Sequence, residues 1–191
     1  MKESTHDRVI KAAVKVMSEV GYHGMSIGIL AKMVGVSKST AIQYFKTKEG
    51  ILLAVLENFL PHHIAEFKPV LHDKHIDGIE KLHRYISFHM NMIAEQRDVL
   101  IINLSDAKYL GGTNKEIYQN QQRQYEQQLV KIIRQIQYEN TGLFEGLDPF
   151  VTAKGIIGMC NHACAWYKED DPFSIEEIAT QFFMILTEGH G

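Results

Sequence analysis

Five side chains that suit contacts to the edges of DNA bases fall within one short stretch of this chain. Lys38, Ser39, Thr40 and Gln43 are polar, and Ile42 lies among them. A lysine can pair with guanine, a glutamine with adenine, and an apolar side chain with the methyl group of thymine. These side chains reach bases only if the stretch begins a helix that enters the major groove. The spacing therefore predicts base-reading chemistry, on the condition that the neighbouring elements present such a helix.

The neighbouring residues predict two short helices. Leu30, Ala31 and Val34 give residues 27–34 one apolar face, and Ala41 and Phe45 do the same for residues 38–45. The small side chains of Ala31 and Ala41 let two steeply crossing helices approach closely. We therefore expect the two faces to pack together.

The segment between them predicts a tight turn. Gly35 can adopt the left-handed conformation that ends the first helix, and Ser37 can cap the second. Val36 is expected to pack into the core. Two helices joined in this way form the helix-turn-helix that binds DNA. Such pairs also occur as plain structural corners, so a helical interaction module without sequence-specific DNA binding is the alternative.

The stretch GVSKSTAIQYFKTKEGIL, residues 35–52, resembles the TetR family of bacterial transcriptional regulators, whose usual pattern is GVSKGTLYHYFxSKEEL. Upstream, the amphipathic residues 10–17 and the following GYHGMSI are similar to the family's first helix and the entry to its second. Two departures, Ile42 for a common aromatic residue and Gln43 for His or Tyr, imply operator contacts that differ from the family norm.

Further side chains around this motif are predicted to contact DNA phosphates: Ser26, Ser37, Tyr44, Thr47 and Lys48. Lys48 begins a helix, where free N–H groups also favour an anion. Helix capping without DNA contact is the alternative for the two serines and Thr47. Tyr44 and Lys48 have little evident structural role in the sequence, so phosphate contact is the expectation for both.

The charge distribution agrees with a DNA-binding N-terminal segment. Residues 1–50 contain eight Lys/Arg against four Asp/Glu, whereas the remaining 141 contain twelve against nineteen. A basic head suits phosphates, and an acidic body is held away from them. The net charge of −3 hides this asymmetry.

The pattern predicts an all-α protein of about nine helices: a three-helix head with the helix-turn-helix in residues 1–50, and a ligand-binding and dimerisation bundle in residues 51–191. No stretch shows sustained strand alternation. Pro61 is expected to kink or split the fourth helix. We place the helices at 5–21, 27–34, 38–45, 48–70, 76–95, 97–109, 114–140, 149–168 and 174–188.

The last two helices carry more apolar surface than one small bundle face requires. In the TetR family the corresponding helices pair with their copies, so the resemblance implies a homodimer; the alternative is that these faces close the monomer's own core. A symmetric operator needs two recognition helices about 34–36 Å apart. The expected interface comprises Ile156, Cys160, Ala163, Cys164, Tyr167, Ile178, Phe182, Phe183 and Leu186.

The body is expected to hold a pocket for a small hydrophobic effector, lined by apolar groups with a few polar ones. The segment from residue 155 to 186 is similar to that of TetR regulators that answer to lipid-metabolism ligands, which implies an acyl-CoA or fatty-acid-like effector; an unspecified hydrophobic or drug-like molecule is the alternative. The candidate lining residues are Phe59, Phe88, His89, Met92, Asn103, Tyr125, Asn161, His162 and Trp166.

Other chemistry finds little support. The chain has no GxSxG, P-loop, GxGxxG or HExxH motif, so we expect no catalytic residues, and we expect no cofactor. Cys160 and Cys164 lie one helical turn apart and could suggest a redox or metal site, but their spacing is not that of a zinc knuckle. The His pairs lack fixed partner ligands. We therefore expect no metal.

No apolar run reaches the ~18–20 residues that span a bilayer, and the N-terminus lacks the apolar region of a signal peptide. We therefore expect a cytoplasmic protein without membrane contact. Taken with the resemblance, the sequence predicts a homodimeric repressor that leaves a palindromic double-stranded DNA operator when a small hydrophobic ligand binds its body.

Overall fold

The computed structural model describes residues 3–57 and 59–188, and this part of the chain is helical throughout. The prediction of an all-α protein with about nine helices is confirmed. No helix of the described residues is long and apolar enough to cross a membrane. The helices are α1 (Thr5–Gly24), α2 (Ile27–Val34), α3 (Lys38–Phe45), α4 (Lys48–Glu57), α5 (Leu60–His72), α6 (Gly78–Asp106), a 3-10 helix (Ala107–Tyr109), α7 (Gly112–Tyr138), α8 (Pro149–Trp166) and α9 (Ile175–Thr187).

Helix starts follow the capping signals of the sequence. Ser4 accepts a hydrogen bond from the Asp7 amide at the start of α1. Asp148 accepts from two amides at the start of α8, where Pro149 occupies the first turn. Ser174 forms a full capping box at the start of α9. These side chains satisfy amides that have no partner within their helices, which fixes where each helix begins.

The fourth predicted helix, 48–70, is two helices in the structure. α4 ends at Glu57 and α5 begins at Leu60, with Pro61 as its second residue. A proline ring clashes with the carbonyl four residues earlier, which here is that of Glu57, and this clash kinks or breaks a helix. The expected split at Pro61 is thus confirmed, and the prediction of one helix over residues 48–70 was wrong.

The predicted helices 76–95 and 97–109 form one helical stretch, α6, with a break in it. Gln96 has φ −133° and ψ 36°, outside the helical range, at the position where the sequence suggested a division. α1 contains a similar break at Gly21, with φ 68° and ψ 174°. Glycine adopts this left-handed conformation at little cost.

The described residues form two compact units. Unit 1 contains the chain up to Pro61 together with Asp98–Gln121, and unit 2 contains His62–Arg97 together with the chain from Gln122 onward. The division at residue 50 that the sequence suggested stays a prediction. The core of unit 1 includes apolar side chains from both of its stretches: Val9, Ala13, Met17, Leu30, Val34, Phe45, Ile51, Leu52, Leu56, Ile102 and Leu110.

Unit 2 has its own apolar interior. Phe67 of α5 packs edge-on against Tyr85 of α6, with ring centroids 5.2 Å apart. His83 of α6 lies 4.7 Å from the ring of Phe183 in α9. The fully buried side chains of this unit come mainly from α6 and α7 and include Leu82, Ile86, Met90, Ile93, Leu129, Ile132, Ile133 and Ile136.

Candidate nucleic-acid interface and effector region

The turn between α2 and α3 has the geometry that the sequence predicted. Gly35 adopts φ 70° and ψ 36°, and its amide and that of Val36 donate to carbonyls of the last turn of α2. Ala31 and Ala41 are buried where the two helices meet. The left-handed glycine reverses the chain, and the small side chains permit close approach. These contacts make α2 and α3 a helix-turn-helix.

α3 buries Ala41 and Phe45 and exposes the opposite face. The predicted base-reading side chains Lys38, Ser39 and Gln43 are all exposed. Ser39 and Gln43 lie one turn apart on the face away from Ala41, whereas Lys38 is the first residue of the helix, one turn before Ala41. Their contact with DNA stays a prediction.

Three of the predicted phosphate ligands cap helices. Ser26 Oγ accepts from the amide of Ile29 at 3.2 Å, and Thr47 Oγ1 accepts from the amide of Gly50 at 2.9 Å. Ser37 Oγ accepts from the amide of Thr40 at 3.0 Å. All three are exposed, so capping and phosphate contact are compatible for each.

The hydroxyl of Ser37 is also joined to its neighbours. It lies 2.7 Å from Ser39 Oγ and 2.8 Å from Thr40 Oγ1. Thr40 is half-buried, whereas the two serines are exposed. This hydroxyl cluster holds the first turn of α3 and its side chains in a defined arrangement before any partner binds.

Lys48 has a structural role that the sequence did not reveal. Its Nζ donates to the carbonyl of His23 at 3.1 Å and lies 4.4 Å from the ring centroid of Tyr22. A cation over an aromatic face gains electrostatic energy. The expectation that Lys48 has little structural need was therefore wrong, and its contact with phosphate stays a prediction.

Tyr44 lies in this region beside two residues that the sequence did not indicate, His6 and Lys46. Tyr44 is 51% exposed, and the edge of its ring meets His6 of α1 at a centroid distance of 6.2 Å. His6 also stacks on Phe45 at 4.9 Å. Lys46, exposed after the end of α3, has φ 59° and ψ −52°. The only sequence signal for Lys46 is its positive charge directly after the recognition helix.

Lys46 lies at the centre of a γ-turn. The amide of Thr47 donates to the carbonyl of Phe45 at 2.6 Å, which bridges the lysine. This left-handed form of the turn is rare and strained for a residue with a side chain. Gly50 then passes so close that an added Cβ would lie 2.2 Å from the Phe45 carbonyl oxygen. The connection from α3 to α4 is therefore tight.

The predicted effector residues are divided between the two units. Phe59 and Asn103 belong to unit 1, where Asn103 accepts a hydrogen bond from Tyr118 at 3.0 Å. The other seven belong to unit 2. There His162 and Trp166 are exposed on α8, whereas Phe88 is half-buried and Met92 is buried on α6.

The structure does bring His89, Tyr125 and Asn161 together from α6, α7 and α8. His89 Nδ1 lies 2.6 Å from the Tyr125 hydroxyl, and its Nε2 lies 2.9 Å from Asn161 Oδ1. Because an amide oxygen can only accept, Nε2 donates to Asn161 and Nδ1 accepts from Tyr125. Both nitrogens of the neutral imidazole are thus satisfied.

This polar cluster is uncharged near neutral pH. Burial lowers the pKa of His89 to about 4, against a favourable bond to Asn161. Burial also raises the pKa values of the Tyr85 and Tyr125 hydroxyls. Removing a charged group from water is costly, so each of these side chains keeps its neutral form.

The two cysteines are buried in α8. Burial raises the pKa of the Cys160 thiol to about 12 and also raises that of Cys164. Both are therefore thiols, and not the thiolates that react or bind metals. Buried cysteines of this kind pack as small apolar side chains.

Most of the predicted dimer residues are already buried within one protomer. Ile156, Cys160, Ala163, Cys164, Tyr167 and Ile178 are buried, and Phe182, Phe183 and Leu186 are half-buried. The buried six therefore have little surface left for a partner. α8 and α9 expose other large apolar side chains: Phe150, Val151, Met184 and Ile185. Trp166, placed in the pocket by sequence, is also among the exposed ones.

Comparison with known proteins decides the family. Residues 75–190 match the family model described as Tetracyclin repressor-like, C-terminal domain, which is more than half of the chain. Residues 9–55 match the model described as Bacterial regulatory proteins, tetR family. The chain belongs to the TetR family. The resemblance drawn from residues 35–52 is thereby confirmed, and the protein is a DNA-binding transcriptional regulator rather than an enzyme.

Individual TetR-family proteins are similar over almost the full length. The fatty acid metabolism regulator protein of Bacillus subtilis (strain 168) is 25% identical over 191 residues, covering 98% of this chain and 96% of the relative. The structure of AibR in complex with isovaleryl coenzyme A and operator DNA has a TM-score of 0.85 at 20% identity, covering 96% of this chain and 98% of that one. That of FadR from Bacillus subtilis in complex with stearoyl-CoA has a TM-score of 0.80 at 24% identity, covering 98% and 100%. Both structures share the fold.

Proposed function

We propose that this TetR-family regulator is a cytoplasmic homodimeric repressor that binds a palindromic operator through α3 and leaves it when an acyl-CoA binds. The observation that carries the proposal is that Lys38, Ser39 and Gln43 of α3 are exposed, while Ala41 and Phe45 of the same helix are buried. Thr40 is assigned a further base contact, and supporting phosphate contacts are assigned to Ser26, Ser37, Tyr44 and Thr47. A helix held this way can place its first turns against base edges.

The proposal of a homodimer is supported by the exposed apolar side chains of α8 and α9. Phe150 and Val151 of α8 and Ile185 of α9 are each about half exposed or more. Large exposed apolar groups on two long helices are typical of protein–protein interfaces. A second copy of the chain would bury them and provide the second recognition helix that a palindrome requires.

The proposal of an acyl-CoA effector has two supports. Relatives include a fatty acid metabolism regulator and structures bound to isovaleryl coenzyme A and stearoyl-CoA. The buried polar cluster of His89, Tyr125 and Asn161 is neutral, so it suits an uncharged acyl thioester. A free fatty acid would bring a carboxylate against these neutral groups, and burial of a charge that they do not neutralise costs several kcal/mol.

The test begins with selection of duplexes from a random DNA pool by the purified protein, followed by titration of the selected duplex at several salt concentrations. We expect an inverted repeat, bound with an affinity that falls steeply as salt rises. Enrichment of no duplex would contradict operator binding by the ligand-free protein and favour the packing-only module.

The effector is then tested on the same complex. Acyl-CoAs of different chain length are added beside the free acids of equal length and free coenzyme A. We expect acyl-CoA to weaken operator binding about a thousandfold, which corresponds to about 4 kcal/mol between the two states. Release by the free acid at equal concentration would refute the thioester, and tighter binding with acyl-CoA would refute repression by the ligand-free form.

A further inference from the structure

The first turn of α4 holds two neighbouring charged residues that are bound to different parts of unit 1. Lys48 donates to the carbonyl of His23, in the last turn of α1, and lies over the ring of Tyr22. Glu49 Oε1 accepts from the amide of Gly111 at 3.0 Å and from Asn114 Nδ2 at 2.9 Å. Adjacent residues of one helix thus face two separate stretches of the chain.

Those two stretches are also bound to each other. The amide of Tyr22 donates to Asp106 Oδ2 at 3.1 Å. The ring of Tyr109 stacks on Tyr22 at a centroid distance of 5.0 Å and meets His23 edge-on at 4.5 Å. We call this set the α4 junction: Tyr22, His23, Lys48, Glu49, Asp106, Tyr109, Gly111 and Asn114.

The α4 junction controls α3 because little chain separates them. Only Lys46 and Thr47 lie between α3 and α4, and the turn they form is strained and tightly packed. No flexible segment between the two helices can absorb a change in the direction of the first turn of α4, so such a change moves α3. Operator affinity depends on the direction of that helix in the groove.

The charge of Glu49 supports the same view. A carboxylate close to a DNA-binding helix repels phosphates, so its electrostatic effect on DNA binding is unfavourable. It is held in its charged form, since the Gly111 amide and the Asn114 side chain lower its pKa. Its two hydrogen bonds instead fix the position of the first turn of α4 relative to residues 111–114.

We propose that Lys48 and Glu49 are positioning residues for operator binding. They join the start of α4 to the end of α1 and to residues 106–114, and so set the direction of α3. In this proposal Lys48 acts through His23 and Tyr22, which replaces the phosphate contact that the sequence predicted. The proposal rests on the operator-binding part of the proposed function and is independent of the effector.

Glu49 permits a test in which charge and position predict opposite signs. Glu49→Ala removes a negative charge, so electrostatics alone would tighten operator binding, whereas loss of position weakens it. Glu49→Gln removes the same charge but keeps an oxygen that can accept both hydrogen bonds. We expect about tenfold weaker binding for Glu49→Ala and wild-type or tighter binding for Glu49→Gln. Binding by Glu49→Ala as tight as that of the wild type would overturn the proposal.

Lys48 is tested by the salt dependence. Each phosphate contact contributes about 0.9 to the slope of log affinity against log salt. We expect Lys48→Ala to weaken binding while the slope stays that of the wild type, and Lys48→Arg, which keeps a donor and a cation for the Tyr22 ring, to restore affinity. A slope lowered by about 0.9 in Lys48→Ala would make Lys48 a phosphate ligand and overturn its assignment.

Hydrogen exchange of the free protein gives a readout that needs no DNA. We expect faster amide exchange in residues 38–45 and 106–114 of Glu49→Ala, with wild-type exchange in Glu49→Gln. Equal exchange in all three proteins would overturn the proposal even if no operator were found. If the wild type selects no duplex while exchange changes as expected, the proposed function fails and the α4 junction stands. Circular dichroism of each variant confirms that it is folded.

Discussion

The buried imidazole of His89 predicts a defined loss of stability in acid. Burial lowers its pKa from 6.5 to about 4, while Tyr125 and Asn161 occupy both of its nitrogens. The unfolded chain therefore binds a proton at pH values where the native state does not. The stability due to neutral His89 is fully present above pH 6.5 and is lost as pH falls from 6.5 toward 4.

The magnitude follows from the two pKa values. Each unit of pKa difference corresponds to about 1.4 kcal/mol. At pH 5.0, which is 1.5 pH units below the ordinary pKa of 6.5, protonation of His89 stabilises the unfolded chain. The free energy of unfolding therefore falls by about 2 kcal/mol relative to pH 7.5. Below pH 4 the loss reaches a limit of about 3 kcal/mol.

The assay is urea unfolding at pH 7.5 and 5.0, at one protein concentration, for the wild type and His89→Gln. The glutamine cannot be protonated, so we expect the wild type to lose about 2 kcal/mol more than this variant between the two pH values. His63, also buried with its pKa lowered by burial, is present in both proteins, so its burial contributes equally to both; its charge is also a lesser cause of the lowered pKa of His89. His162→Gln, at an exposed site of α8, is the control and should lose as much as the wild type. Equal losses for the wild type and His89→Gln would refute the reasoning.

Three further predictions test the connection after α3 and the exposed face of α9. Gly50→Ala places a Cβ 2.2 Å from the Phe45 carbonyl oxygen and should lower the free energy of unfolding by about 2 kcal/mol in thermal unfolding. The control is Gly155→Ala, whose Cβ meets nothing within 4 Å and which should not lower it. Equal stability of the two variants would contradict the tight turn. Lys46→Gly should raise stability by about 0.5–1 kcal/mol in urea unfolding, because the left-handed φ of 59° strains a lysine, and a loss would show that the strain is absent. Ile185→Asp, at a site 58% exposed in the protomer, should give a folded monomer by light scattering, and a dimer of wild-type affinity would exclude this face.

Local features of the fold were predictable because their signals lie within a few residues. Gly35 ends α2 in the left-handed conformation, Ser37 caps α3, and Pro61 separates α4 from α5, as each residue type predicts. The helix-turn-helix and its exposed polar face follow from these local preferences together with helical periodicity.

The contacts that fix the position of α4 could not be predicted. Lys48 meets a carbonyl 25 residues earlier, and Glu49 meets an amide 62 residues later. No periodicity links residues so far apart, since their distance depends on how whole helices pack. For this reason Lys48 looked like a free cation in the sequence.

The apolar residues of α8 and α9 show a second limit. Periodicity identifies apolar positions, but it cannot separate those that face the protomer's own core from those left exposed. Cys160 and Ala163 are fully buried, whereas Val151 and Ile185 are not. The predicted interface therefore contains mainly residues that are buried within one protomer.

The core of unit 1 has a consequence for synthesis and for protein engineering. Ile102 and Leu110 are buried in the same apolar cluster as Val9 and Leu52, so the DNA-binding end of the protein lacks part of its interior until residues 98–121 have left the ribosome. At about 5–20 residues per second, the nascent chain waits roughly 3–12 s after residue 61 for that segment. A chimera that joins this head to another body near residue 60 would leave the same gap permanently. A transplantable head therefore needs both stretches.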